Sequence, residues 1–446
     1  MSAPGKGLKA VNAGVIEGRE AVEPSLEAYY EPRGKYWIKD GRDCWMPIDA
    51  SGVKRHLRRS GFSSKHPDGP GLSPLEEELS VVELERNVIY AGRLAGYQPG
   101  LHEVCSNRIL VTEGPKIPPT NQGDWSLIQE FLEGLFGDPQ IHYVHGWCQS
   151  AFLALKNGDR RPGQALAIAG PPGCGKSFFQ HYIVTPLLGG RQVNPYLFTT
   201  GGSNFNSEMF KAEHQLCEDE QSSSRQDKRR ALQQKIKGIA VNKSHLCHAK
   251  GKEGIQLTPF WRFTISVNSE PENLMSLPIM DDSFKDKIML LLAAKPACVE
   301  SLESESDYQS FRDKLESQVP AYVWYLENEH EIPKTLQDDR YGVESFHNPQ
   351  LIDALGAIAP DGQLDELIGL ILFDEPRPTP FKGSAIELQK RLESSDKYRN
   401  EIRQLLTHAG RLGYLLRDLR GRLPSRYSNS MFRGRARWKI EPPTMG

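Results

Sequence analysis

The sequence predicts an α/β protein built around a mainly parallel sheet, and three observations carry that expectation. A short apolar run, Ala165 to Ala169, leads directly into Gly170-Pro-Pro-Gly-Cys-Gly-Lys176-Ser177. Further strand-like apolar runs follow it, and segments of helical periodicity alternate with them. Strands alternating with helices around such a loop give a parallel sheet covered on both faces.

Residues 170–177 fill every constrained position of the eight-residue phosphate-loop pattern. Glycines allow consecutive backbone N–H groups to turn inward on phosphates, and Lys176 reaches the β- and γ-phosphates. The Ser177 hydroxyl suits Mg²⁺, and the helix that follows offers its positive end to the anion. Gly170, Pro171, Pro172, Gly173, Cys174, Gly175, Lys176, Ser177 and Phe178 are therefore the candidate contacts for ATP, with Mg²⁺ as its companion. The plain alternative is a glycine-rich turn ahead of a core helix.

The rest of the chain is read in order. At 446 residues the chain exceeds one compact core, so several domains are expected. Residues 1–24 lack periodicity and read as a disordered tail. Residues 25–120 read as a small α+β accessory domain, a collar assisting assembly. Within it, Tyr36-Trp-Ile38 and Cys44 to Ile48 form a hairpin across a Gly-containing turn. Val53 to Leu57 and Leu75 to Ala91 are helices separated by a Pro/Gly-rich break, and Arg108 to Thr112 is a strand.

Trp125 to Phe136 and Ile141 to Leu155 are amphipathic helices. On the second, His142, His145 and Cys148 share a face, which suits packing on a neighbour better than a three-ligand metal site. Tyr196 to Thr200 reads as a strand, followed by a turn through Asn206. A second strand starts at Ala212 and runs into Glu218-Asp219-Glu220. A helix from Arg225 to Ile239, a basic segment 242–253 and the strand Trp261 to Val267 complete a core spanning 121–300.

Placed after a strand downstream of a phosphate loop, the three acids suit Mg²⁺-assisted hydrolysis. Asp219 would hold the metal shell and Glu220 would orient the attacking water, with Glu218 leaving the assignment ambiguous by one residue. A solvated acidic turn is the other reading. Asn268, at the end of the third strand, can sense the γ-phosphate, although Asn also starts ordinary turns.

Residues 301–375 read as a helical lid containing helices Phe311 to Leu326 and Pro349 to Phe373. Residues 376–446 form three short helices and a terminal basic strand, a winged-helix-like arrangement. Arg411 to Leu419 would be its recognition helix, and Arg433, Arg435 and Arg437 would contact phosphate. A net charge of −2 hides this basic C-terminus, which points to a polyanionic partner. Seven scattered cysteines without a CxxC pair suit a reducing cytoplasm, and no apolar run is long enough for a membrane span.

Taken together, the phosphate loop, Glu218-Asp219-Glu220, the basic segment and Ile265-Ser-Val-Asn268-Ser-Glu-Pro resemble a superfamily 3 helicase core. More narrowly, Phe205-Asn206, Leu277-Pro278, Asp286-Lys287-Ile288 and Arg340-Tyr-Gly-Val343 resemble the helicase part of phage and prophage primase-helicases. The resemblance implies an AAA+-type ATPase that assembles into a hexameric ring and moves 3′→5′ on single-stranded DNA. It implies forked DNA as substrate and the bacterial host cytoplasm as location; the family often joins this core to a primase, and because the first 120 residues are too short for one, a separate primase is the partner expected.

It also implies a hairpin gripping DNA phosphates, with Lys250 and Lys252 near its tip, although a solvated loop is the alternative. The arginine finger of such enzymes has no obvious match, because no arginine falls between Arg262 and Arg312. Lys287 fits the family's Asp-Lys pattern, while Lys285, Arg225, Arg229 and Arg230 are other candidates. A lysine there cannot fork onto a phosphate as a guanidinium does. The competing functional reading is a non-translocating P-loop ATPase acting as a replication initiator or defence switch.

Overall fold

The computed structural model describes residues 27–32, 34–218, 226–374, 378–408, 410–432 and 434–443. They divide into two compact units, one of residues 27–92 with 99–113, the other of 93–98 with 114–443.

The first unit is α+β. Strands β1 (Ala28–Glu31), β2 (Lys35–Lys39) and β3 (Trp45–Ile48) form an antiparallel meander in which Trp37 faces Pro47, as the hairpin reading requires. Helix α1 (Ala50–Arg59) starts where the Asp49 carboxylate accepts from the Gly52 N–H at 2.6 Å. Helix α2 (Pro74–Leu84) starts at a capping box between Ser73 and Glu76. Val53, Leu57, Leu75 and Val82 close a small core over Tyr36 and Ile38.

Sequence periodicity carried α2 to Ala91, and the structure corrects this. The helix stops at Leu84, and β4 (Tyr90–Gly92) pairs in parallel with β6 (Asn107–Val111), which pairs antiparallel with β5 (Gly100–Val104). Val88, Ile89 and Tyr90 are β-branched or aromatic and pack better on a pleated surface than in a last helical turn. Pairing settles the contest, since the Val88 N–H reaches the Tyr30 carbonyl at 2.8 Å.

The second unit holds a five-stranded, all-parallel sheet in the order β13-β7-β12-β9-β8. Its strands are β7 (Ala165–Gly170), β8 (Gln192–Val193), β9 (His214–Glu218), β12 (Arg262–Asn268) and β13 (Ile288–Leu292). Between β9 and β12 the chain inserts a hairpin of β10 (His245–Cys247) and β11 (Ile255–Leu257). β7 is buried along its whole length, which is why it reads as a continuous apolar run.

Helices α3 (Ser126–Phe136), α4 (Gln140–Lys156) and the 24-residue α11 (Glu305–Asn328) pack together beside this sheet. Phe131, Trp147, Phe152, Leu315 and Tyr322 fill the space between them. After the phosphate loop the chain runs as α5 (Lys176–Phe178), a π-helical stretch Phe179–Val184, and α6 (Thr185–Leu187).

Two further expectations change. Tyr196 to Thr200 is helical, as α7 (Tyr196–Thr199), because Asn194 Oδ1 accepts from the Tyr196 N–H at 2.9 Å and Pro195 cannot extend a strand ladder. The edge strand is β8 instead. The single helix expected over Pro349 to Phe373 is α12 (Pro349–Ile358) and α13 (Pro360–Leu372), since Pro360 drives Ala359 out of helical geometry to φ −67°, ψ 153°. Before them lie α8 (Gln226–Val241), α9 (Pro271–Leu274) and α10 (Ala297–Glu300).

The C-terminal stretch forms β14 (Phe381–Ser384), α14 (Ala385–Glu393), α15 (Arg399–Leu405), α16 (Arg411–Arg422), β15 (Tyr427–Phe432) and β16 (Arg435–Ile440). The strands pair antiparallel in the order β14-β16-β15 over a core of Leu388, Ile402, Leu416, Tyr427 and Ile440. Among the described residues no helix is long and apolar enough to cross a membrane.

Candidate functional site

Ligands of open parallel sheets bind beyond the carboxyl ends of the strands, and here that edge gathers the phosphate loop, Lys176, Glu218 and Asn268. β7 ends at Gly170, directly beside Asn268, the last residue of β12. β9 ends at Glu218, beside Ser266. The loop between β7 and α5 adopts left-handed geometry at Gly173 (φ +67°) and Gly175 (φ +109°). A Cβ at Gly175 would also lie 2.8 Å from the Phe131 ring, so glycine is required on both counts. Cys174 is buried beneath the loop, Pro171 and Pro172 are exposed, and Phe178 packs on Tyr308 and Phe311.

Lys176 is only 6% exposed and folds back into the loop. Its Nζ donates to the Gly170 and Pro171 carbonyls, both at 3.0 Å, and to Asn268 Oδ1 at 3.2 Å. The structure therefore brings Lys176, Asn268 and the glycine loop together. These three oxygen acceptors are uncharged, so an anion reaching the loop would add an ion pairing that they do not supply.

Glu218 faces the same edge. Its Oε2 accepts from His181 Nε2 at 2.7 Å, while its Oε1 is buried without a hydrogen-bond partner. Burial pushes the carboxyl up, but hydrogen bonding from His181 and the nearby Ser177 hydroxyl outweighs it and holds the group below its ordinary value. An orphaned, ionised oxygen next to a hydroxyl fits a hard divalent cation such as Mg²⁺. Asp219, Glu220 and Arg225 lie outside the described residues.

The basic segment is the β10–β11 hairpin, with Lys250 and Lys252 exposed at its tip. Asn206 clamps it: Nδ2 donates to the Leu246 carbonyl at 2.9 Å, and Oδ1 accepts from the His248 N–H at 2.7 Å. The Phe205 ring, 44% exposed, rests 5.3 Å from the His248 ring. Phe205-Asn206 stood out in the sequence only as part of a resemblance; its clamping role needed the fold.

Lys287 is not at this edge. It precedes β13, whose first residue pairs with Ala165 at the far end of β7, and it is buried in an ion pair with Asp286. Lys285 pairs with Asp282 at the surface, Arg229 donates to the Leu277 carbonyl at 2.9 Å, and Arg230 is exposed. Arg340 sits 3.8 Å from Asp286 with its guanidinium over Tyr341.

The three α4 residues diverge. His142 pairs with Asp138, His145 is buried against the Tyr322 hydroxyl at 2.9 Å, and Cys148 is fully buried. On α16, Leu412, Leu415, Leu416 and Leu419 face the core while Tyr414, Arg417 and Arg420 are exposed. They line a groove of about 440 Å³ with Ile386 and Trp438. Arg437 is exposed on β16 with its guanidinium 5.3 Å from the Phe432 ring; β16 begins at Arg435, and Arg433 lies outside the described residues.

A family model described as a family of unknown function (DUF5906) matches residues 168–283, the stretch from the phosphate-loop strand to just past Asn268. No curated protein matches the chain. An apo structure of the NrS-1 C-terminal region is similar over 94% of this chain and 97% of that one, with a TM-score of 0.52 at 13% identity. A second apo structure of that region covers 93% and 96%, with a TM-score of 0.49 at 15% identity. A JCV helicase bound to a small molecule covers 46% and 55%, with a TM-score of 0.29 at 12% identity. The first of these shows a shared fold across nearly the whole chain.

Proposed function

We propose that the chain is an ATP-dependent replicative DNA helicase of phage or prophage origin, moving 3′→5′ on single-stranded DNA and hydrolysing ATP between subunits of a hexameric ring. The observation that carries the reading is the Lys176 ammonium suspended between two loop carbonyls and Asn268 at the carboxyl edge of a parallel sheet. That arrangement needs only an anion to complete it. The whole-chain likeness in fold to the NrS-1 C-terminal region supports the same architecture.

In this reading the loop N–H groups and Lys176 bind the β- and γ-phosphates, and Asn268, released by the lysine, faces the γ-phosphate. Ser177 and Glu218, with Asp219, would hold Mg²⁺, which neutralises charge developing on the transferred phosphoryl group. Glu220 would orient the attacking water. Lys287, or the neighbouring Arg340, would act on the triphosphate of an adjacent subunit.

Two features favour work on nucleic acid over a simple switch. The hairpin tip offers Lys250 and Lys252 beside the Phe205–His248 ring pair, a cation-plus-aromatic combination suited to single strands. The C-terminal stretch reads as a winged helix, with α16 as its recognition helix and the β15–β16 hairpin as its wing.

The test is strand displacement on a 3′-tailed fork with ATP, which wild type should perform and Lys176→Ala should not. DNA-stimulated ATP hydrolysis without unwinding on forks of either polarity would sink the helicase reading and leave the initiator or defence-switch alternative.

A further inference from the structure

One polar side chain at the nucleotide edge has no part in the reading above. His181 lies four residues beyond Ser177, on the π-helical stretch, so both project toward the end of β9. Its two ring nitrogens face acceptors, Gln192 Oε1 at 2.9 Å and Glu218 Oε2 at 2.7 Å. With a hydrogen-bond partner at each nitrogen, the ring is fixed at two points.

The anchor beneath it is itself held. Gln192 Oε1 also accepts from the Thr185 hydroxyl at 2.8 Å. That hydroxyl meets His214 Nδ1 at 2.7 Å, and His214 Nε2 meets the Thr264 hydroxyl at 2.8 Å. Gln180 Nε2 donates to Thr264 at 2.7 Å. A continuous polar chain thus ties the helix after the phosphate loop to β8, β9 and β12, and its free end is the Glu218 carboxylate.

We propose that His181 is a positioning residue for the divalent cation of the nucleotide site: by fixing Glu218 Oε2, it holds the carboxylate so that the unpartnered Oε1 is available to the metal. The inference rests on the nucleotide reading. Groups that orient a metal-binding carboxylate typically change metal affinity by about 10–100-fold when removed. His181 has no hydrogen bond to Lys176, Asn268 or the loop carbonyls among the bonds of the described residues, so nucleotide binding without metal does not depend on it.

The test follows MANT-ATP fluorescence of the full chain during Mg²⁺ titration and, separately, in EDTA. His181→Ala should raise the half-saturating Mg²⁺ by about tenfold while leaving affinity in EDTA unchanged. His181→Gln, which can still donate from Nε2, should recover most of the shift. Gln192→Ala removes the outer anchor, together with one acceptor of the Thr185 hydroxyl, at an exposed position and should shift the midpoint in the same direction by a smaller factor. Mn²⁺ binding followed by electron paramagnetic resonance should weaken in parallel, without any turnover. An unchanged Mg²⁺ midpoint in both alanine variants would overturn the proposal, as would equal losses with and without metal or no recovery in His181→Gln. Wild type that binds no MANT-ATP would overturn the nucleotide reading and this inference together.

Discussion

Replacing Asn206 by alanine should loosen the hairpin without touching the phosphate loop. Asn206 is 8% exposed and spends both ends of its amide on hairpin backbone, Nδ2 on Leu246 and Oδ1 on the His248 N–H. A net hydrogen bond contributes about 1 kcal/mol, and an orphaned partner costs more only where water cannot reach it. The hairpin is largely exposed, so the lower figure applies to each bond, giving about 2 kcal/mol in total. That corresponds to roughly a 30-fold change in the opening equilibrium. The effect is large for this element, because its strands have three residues each and an isolated two-stranded ribbon is marginal in water.

Hydrogen exchange read by mass spectrometry over peptides covering 242–257 is the direct assay. Those amides should exchange roughly 30-fold faster in Asn206→Ala, while peptides from β7 and α4 stay unchanged. MANT-ATP affinity should hold and affinity for single-stranded DNA should fall. Unchanged protection across the hairpin would refute the clamp, since the backbone bond from Asn206 N to the His248 carbonyl would then suffice alone.

Two further outcomes test the core. Glu213 is fully buried and bidentate with Arg191, and it also accepts from the Gly96 N–H at 2.7 Å, so Glu213→Ala should cost about 3–5 kcal/mol in urea denaturation. Burial, with smaller contributions from His330 and His142, pushes the His145 imidazole down to about 3, so the folded state keeps it neutral where the unfolded chain binds a proton. Stability should therefore fall as pH drops from about 6.5 toward 3, by up to about 1.4 kcal/mol per pH unit from this residue. His145→Gln should flatten that slope in denaturation series at stepped pH.

How much of this was legible beforehand depends on the distance over which each signal acts. The phosphate loop is local: its glycines, Lys176 and Ser177 carry their geometry within eight residues, and β7 announces itself by a fully apolar run. Asn268 was legible as a strand end, although only the register with Gly170 shows why that end matters. The misread strand at Tyr196 failed for a local reason too, because Asn194-Pro195 is a helix start that outweighs aromatic and β-branched content. His181 was missed entirely. Its spacing of four from Ser177 was available, but nothing in the sequence shows that Glu218 arrives opposite that face from a strand beginning at His214. Asn206 is similar: its partners lie about forty residues onward, with β9 and α8 in between.

The sheet's geometry also constrains which cations of one chain can reach its own phosphate loop. Because β13 runs parallel to β7, with Ile288 beside Ala165 and Leu292 beside Ala169, Lys287 and the phosphate loop occupy opposite ends of the same pair of strands. Five residues of strand span roughly 13–17 Å, and Lys287 is further held by its ion pair with Asp286. A cation so placed stabilises the start of β13 in its own subunit, and it can approach a phosphate only if that phosphate belongs to another copy. The same holds for Arg340, which shares Asp286 as its partner. If either side chain serves hydrolysis, the active site is completed by assembly, and the isolated chain should bind ATP far better than it hydrolyses it.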